Sequence, residues 1–213
     1  DNPTYITALA DTVRSAVRQH GKPDRLVVSF HGIPKRYHLS GDPYHCHCMK
    51  TARLLREELQ WDDVTFHGTF QSRFGSEPWL QPYTDESVVK MAEDGHNHVM
   101  VMAPGFVADC LEPLDEIGNE REEEFVEAGG ETLTYIPCLN DSAGGMQVIE
   151  ELAAANLAGW VDVAPRPNAR KPKPKAVKLK KAGYSAQHSW SDRPAIWLKF
   201  AALPVCVRCT NDE

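Results

Sequence analysis

The chain has 213 residues, 42% of them hydrophobic and 25% charged, which suffices for one well-cored domain and an appendage, and its net charge is −7. That charge is uneven: residues 163–213 hold 11 Lys and Arg against 3 Asp and Glu, a net +8, which leaves −15 on residues 1–162. An acidic body suits a cation and argues against a nucleic-acid partner, whose phosphates attract basic faces.

No apolar run approaches the roughly 20 residues of a membrane span, and Asp1-Asn2-Pro3-Thr4 lacks the basic-then-apolar layout of a secretory signal. A cytoplasmic address with at most peripheral membrane contact is expected. Tyr5, Ile6, Leu9, Val13 and Val17 recur at helical spacing up to Gly21, and Leu26 to Phe30 form an apolar run of strand length. The alternation continues with a helix over 44–59, a strand over 64–70, a helix over 84–93 and a strand over 98–103. A helix over 114–128, a strand over 132–136 and a last helix over 142–157 complete it. Strands alternating with helices of this length predict βαβ units, hence an α/β fold with a four-stranded parallel sheet flanked by helices. Beyond Trp160 the Pro/Lys-rich stretch around Arg170-Lys171-Pro172-Lys173-Pro174-Lys175 can sustain neither a helix nor a core. The expected division is a folded unit over 1–162 and a basic tail over 163–213.

In open parallel sheets ligands bind beyond the carboxyl ends of the strands, so the residues that follow each strand are the candidates for chemistry. His31 follows the first strand and precedes a Gly32-Ile33-Pro34 turn. A neutral imidazole there could accept a proton or hold a divalent metal, or be a hydrogen-bonded structural residue. After the third strand come Pro104-Gly105-Phe106 and then Asp109 and Glu112. Glu112, Glu116 and Glu120 share one helical face, as a functional carboxylate ladder or as the solvated first turns of a helix that Asp109 caps. The loop after the second strand, residues 71–83, combines Arg73 with Phe74, Trp79 and Tyr83 and offers a wall on which a flat apolar ligand could stack. There Arg73 could meet a carboxylate or order the loop by local hydrogen bonds.

His45-Cys46-His47-Cys48 has the residue types of a metal cluster, but consecutive residues at a helix start diverge and cannot all reach one ion. Cys206 and Cys209 have ligand spacing without a matching pair. The six cysteines are read as reduced thiols in a chain of this size.

Several of these segments, in this order, resemble the ferrochelatase family: Ser29-Phe30-His31-Gly32-Ile33-Pro34; Gly41-Asp42-Pro43-Tyr44; Phe70 to Gly75 with Pro78-Trp79-Leu80 and Thr84-Asp85-Glu86; Pro104-Gly105-Phe106; Asp109-Cys110-Leu111-Glu112 with Leu114-Asp115-Glu116-Ile117; and Ile136 to Asn140. The resemblance implies one lobe, the C-terminal one, of a two-lobed fold with a porphyrin cleft, and an enzyme of heme biosynthesis that inserts Fe²⁺ into protoporphyrin or coproporphyrin. It implies His31 and Glu112 as catalytic and metal-binding residues, Trp79 and Phe106 as porphyrin contacts, and Asp109 and Glu116 as a proton or metal relay. Fe²⁺ enters as a substrate; no organic cofactor and no iron–sulfur cluster are expected. The partner implied is the N-terminal lobe, besides porphyrin and iron. Pro113 stands where the family commonly has threonine. A rival reading is a non-catalytic porphyrin- or metal-binding module that docks through its basic tail.

Overall fold

The computed structural model describes residues 1–160, and the tail expected over 163–213 lies outside them. Helix α1 (Pro3–His20) starts where the sequence offers both an N-cap and a proline. The Asn2 side chain accepts from the Tyr5 N–H at 3.2 Å, and Pro3 occupies a first-turn position that has no intrahelical donor to lose. Gly21, at φ 85°, ends it.

Strand β1 (Arg25–His31) is followed by the short helix α2 (Lys35–Leu39), which the sequence pattern did not announce because five residues are too few to show a period. Helix α3 (Tyr44–Leu59), strand β2 (Phe66–Gln71), helix α4 (Thr84–Glu93) and strand β3 (His98–Met102) follow. The next helical stretch differs from the expectation. Residues Pro113–Glu120 are π-helical and run directly into helix α5 (Arg121–Glu127). Strand β4 (Thr132–Ile136) and helix α6 (Ala143–Leu157) close the described region.

All four strands are parallel, in the order β2-β1-β3-β4. Alternate residues of each strand feed two cores, as the two-residue period of a strand requires. Leu26, Val28, Phe30, Met100, Met102 and Ile136 pack with α1, α3 and α6, whereas Val27, Val99, Val101 and Leu133 pack with α4, Ile117 and Phe125. The sheet is therefore covered on both faces, which is why its strands read as nearly continuous apolar runs.

The turn after α5 is a Schellman motif: Gly129, at φ 103°, donates to the Val126 carbonyl and Gly130 to the Phe125 carbonyl. The ring of Phe125, fully buried, lies where a Cβ on Gly130 would be. Gly130→Ala is expected to destabilise the chain by about 2–3 kcal/mol through overpacking, read as a lower urea midpoint at constant m.

The strand order reverses between β1 and β3, because the chain leaves β1 toward β2 on one side and returns to β3 on the other. The crevice beyond the carboxyl ends of these two strands is the switch point at which a ligand is expected. Register adds to it. β3 pairs with β1 only as far as Met102 opposite Val28, while Ser29, Phe30 and His31 continue to pair with Thr69, Phe70 and Gln71 of β2. Pro104, which has no N–H to give a ladder, follows close behind β3.

Candidate active site

His31 is the last residue of β1, on the sheet face that also carries Val27 and Ser29. Its Nδ1 lies 2.7 Å from the Gly32 carbonyl oxygen, which can only accept, so in the neutral imidazole Nδ1 carries the proton and Nε2 presents the lone pair. Nε2 faces Glu112 Oε1 at 3.8 Å, with the two side chains 40% and 26% exposed. The two are accessible to a ligand. The gap is too long for a hydrogen bond and falls within the sum of one metal–nitrogen and one metal–oxygen bond of about 2.0–2.2 Å each.

Glu112 is held from the β2 side. Gln71, the register partner of His31, donates from Nε2 to Glu112 Oε1 at 3.1 Å, and the Ser72 hydroxyl reaches the same oxygen at 2.9 Å. That hydroxyl also lies 2.6 Å from Glu116 Oε2, and the Ser72 N–H donates to Glu116 Oε1 at 3.2 Å. Ser72 sits at φ 60°, in the left-handed region, with its N–H toward Glu116 and its Oγ toward both carboxylates. Glu112 and Glu116, four residues apart, lie on one side of this helical stretch, and both reach this one serine. Glu120 instead meets Arg121 at 3.0 Å at the surface. Beside Glu116 opens a cleft of about 330 Å³ lined also by Ser72, Tyr83, Asp85 and Arg121.

Asp109 takes a different place from Glu116. Its Oδ1 accepts from Tyr135 Oη and the Cys138 N–H, both at 2.9 Å, and its Oδ2 accepts from Asn140 Nδ2 at 2.8 Å. Its own N–H donates to Asn140 Oδ1 at 2.8 Å. Partial burial pushes the Asp109 carboxyl up, but the hydrogen bonds from Asn140, Cys138 and Tyr135 outweigh it and hold the group below the ordinary aspartate value. The same hydrogen bonds moor the β3–helix segment to the end of β4. Tyr5 of α1 adds a hydrogen bond to the Pro104 carbonyl.

Trp79 lies against Gly32, where an added Cβ would meet the indole at 3.2 Å and the Gln71 carbonyl at 2.9 Å. Its indole N–H donates to the Phe74 carbonyl at 2.9 Å, and the Phe74 ring stands edge-on to it at 5.9 Å. The half-buried Trp79 is thereby fixed one residue from His31. Phe106 is half-buried and packs on the core beneath α4 and α5. Arg73 meets the carboxylates of Asp85 at 2.9 Å and Glu86 at 3.1 Å and lies over the Tyr83 ring, contacts that tie the loop to the start of α4. Three of the exposed large apolar side chains, Leu39 after β1, Phe74 after β2 and Leu111 after β3, stand on segments that leave strand carboxyl ends.

The sequence pattern of the Ferrochelatase family matches residues 1–157. The chain belongs to the ferrochelatase family. It is 53% identical over 162 residues to the ferrochelatase of Allorhizobium ampelinum and 54% identical over 162 residues to that of Agrobacterium fabrum, in each case covering 76% of this chain and 47% of the relative. It is 53% identical over 161 residues to the ferrochelatase of Rhodobacter capsulatus, covering 75% of this chain and 46% of the relative. The chain thus spans about half the length of the curated relatives it matches.

Within this ferrochelatase lobe the fold joins His31, Glu112 and Glu116 and sets Trp79 beside them, while Asp109 binds toward β4. Three neighbours escaped the choice of site residues. Gln71 and Ser72 occupy the same position after β2 that singled out His31 after β1, so the positional rule could have found them. Tyr44, whose hydroxyl donates to the His31 carbonyl at 2.8 Å, gives no such signal. Its burial pushes the phenol well above its ordinary value, which keeps it neutral and a donor. Of His45-Cys46-His47-Cys48, Cys46 is exposed and Cys48 buried, and His45 stacks on Phe70 and beside His38. Among the described residues no group of three or more His, Cys, Asp or Glu is disposed to hold a metal ion, and no helix is long and apolar enough to cross a membrane.

Proposed function

We propose that this chain is the part of a ferrochelatase that carries the metal, and that with a complementary lobe it inserts Fe²⁺ into protoporphyrin or coproporphyrin in the cytoplasm. The observation that carries the proposal is the His31–Glu112 pair, 3.8 Å apart at the switch point of a sheet from this family. Metallation removes two pyrrole protons as the ion enters. The site therefore needs a base with a free lone pair and ligands that release the ion. His31 Nε2 supplies the lone pair. An imidazole and a carboxylate bind Fe²⁺ with intermediate strength, where thiolates would retain it.

Glu116 extends this function. One Ser72 hydroxyl carries one proton and can satisfy one of its two carboxylate neighbours at a time; the other contact becomes favourable when a carboxyl proton or a cation is shared there. Such a pair can take up and pass on positive charge, which supports Glu116 as the relay. The three donors on Asp109 support an anchoring part for that residue in addition to the relay part expected of it. Trp79 and the exposed portion of Phe106 provide the apolar contact for the macrocycle. Trp79→Ala should weaken porphyrin binding about tenfold, the loss of roughly 1–1.5 kcal/mol of aromatic contact, measured by titrating porphyrin absorbance.

The direct test supplies Zn²⁺ or Fe²⁺ and porphyrin to this chain mixed with the N-terminal half of a relative and follows metalloporphyrin absorbance. Turnover is expected. Stoichiometric porphyrin binding without turnover in an assembled pair would favour the rival reading of a binding module.

A further inference from the structure

Five polar side chains are buried in the described residues, and four of them, Ser29, Thr69, Gln71 and Thr84, form one connected chain behind Glu112. Thr69 Oγ1 lies 2.9 Å from Thr84 Oγ1, which lies 2.8 Å from Ser29 Oγ; Ser29 Oγ lies 2.7 Å from Gln71 Oε1, and Gln71 Nε2 reaches Glu112. Apolar residues of the same volume would pack there without the desolvation that hydroxyls and an amide carry into a core, so the polar run needs a reason other than stability.

The hydrogens have one consistent arrangement. Turning the Gln71 amide over would set its oxygen 3.1 Å from a carboxylate oxygen, so its NH₂ faces Glu112 and its oxygen faces Ser29. The single Ser29 proton then goes to Gln71. Thr84 must in turn donate to Ser29, and Thr69 to Thr84. Every bond is polarised in the same direction, from the interior of β2 toward Glu112. The register explains how: Ser29 and Thr69 are cross-strand partners, as are His31 and Gln71, and Thr84 opens α4 directly above them.

We infer that Ser29, Thr84 and Thr69 are positioning residues for the metal site, a one-way hydroxyl chain that locks the Gln71 amide as a donor to Glu112 and so holds that carboxylate opposite His31. This rests on the reading of His31 and Glu112 as the metal-binding pair. Outer partners of metal ligands act in this manner, and their loss costs about 10–100-fold in metal affinity.

The test is a titration of this chain with Co²⁺, reading affinity and the visible ligand-field spectrum, for Ser29→Ala, Thr84→Val and Thr84→Ser beside His31→Ala and Glu112→Gln. Ser29→Ala should weaken Co²⁺ binding about tenfold and alter the spectrum, because the amide is free to turn. Thr84→Val, which keeps the shape and removes the hydroxyl, should weaken binding severalfold, and Thr84→Ser should restore it. Wild-type affinity and spectrum in Ser29→Ala and Thr84→Val, with binding lost in His31→Ala and Glu112→Gln, would overturn the chain while leaving the metal pair intact. Undiminished binding in all five variants would overturn both. Equal losses in Thr84→Val and Thr84→Ser would also overturn it, since packing and not the hydroxyl would then be responsible. Should Ser29→Ala fail to fold, the Thr84 pair carries the comparison, with urea midpoints reporting any loss of fold.

Discussion

Replacing His31 by alanine is expected to abolish metal insertion in an assembled enzyme, with kcat reduced at least 100- to 1,000-fold and porphyrin binding little changed. The neutral imidazole presents Nε2 as an acceptor because Nδ1 is tied to the Gly32 carbonyl. Removing it deletes both a ligand for the ion and the base for the pyrrole protons, and general-base loss alone costs about 10²–10⁴-fold. Glu112→Gln is isosteric yet carries no negative charge, and two donors already point at its Oε1 from Gln71 and Ser72. It should weaken metal affinity while leaving the fold in place. Metalloporphyrin absorbance gives the turnover, and Co²⁺ titration gives the affinity. Retention of full activity by His31→Ala would refute the assignment of this site.

Asp109→Ala should lower stability by about 2–4 kcal/mol. The side chain accepts from three donors, the Tyr135 hydroxyl, the Cys138 N–H and the Asn140 amide, and its removal leaves them without their acceptor in a partly buried corner. A pH signature separates this from simple loss of packing. The Asp109 carboxyl lies below its unfolded value, so its contribution is complete above roughly pH 4 and is lost as pH falls through the folded value. Urea midpoints of wild type and variant should therefore lie far apart at pH 7 and approach one another as the medium is acidified below pH 4. A constant separation down to pH 2 would show that the carboxylate's charge is not what the corner uses.

Much of the fold was legible because its strands are buried on both faces and its helices are amphipathic, two patterns with clear periods. Residues 44–59, 84–93 and 132–136 read as elements with the bounds they have. The sequence could not announce the π-helical stretch, since apolar spacing along Leu114 and Ile117 fits an α-helix and the wider turn arises from backbone hydrogen bonding. The second strand was expected from Val64, but Val64 is 67% exposed and pairing starts at Phe66. His31, Glu112 and Glu116 were legible by position after strands and by resemblance. The meeting of Glu112 and Glu116 at Ser72 was not, because it rests on a left-handed backbone at a serine, a residue without the glycine that usually signals it. The hydroxyl chain behind Gln71 was hidden for another reason: isolated serines and threonines are common, and only the β1–β2 register sets Ser29 beside Thr69, with Thr84 brought over them by the start of α4.

The early end of pairing between β1 and β3 has a consequence for how such a site can change. The last three residues of β1 pair with a strand on one side only, and Glu112, from the segment that follows β3, reaches His31 at that end. The opening is thus made by main chain, from one strand being shorter than its neighbour, and no side chain has to be small to create it. Single substitutions can retune what lines the opening, but adding or deleting residues around Met102 and Pro104 is what would enlarge or close it. Variation in chain length there, more than amino-acid exchange, is the route by which this scaffold would gain or lose a binding site.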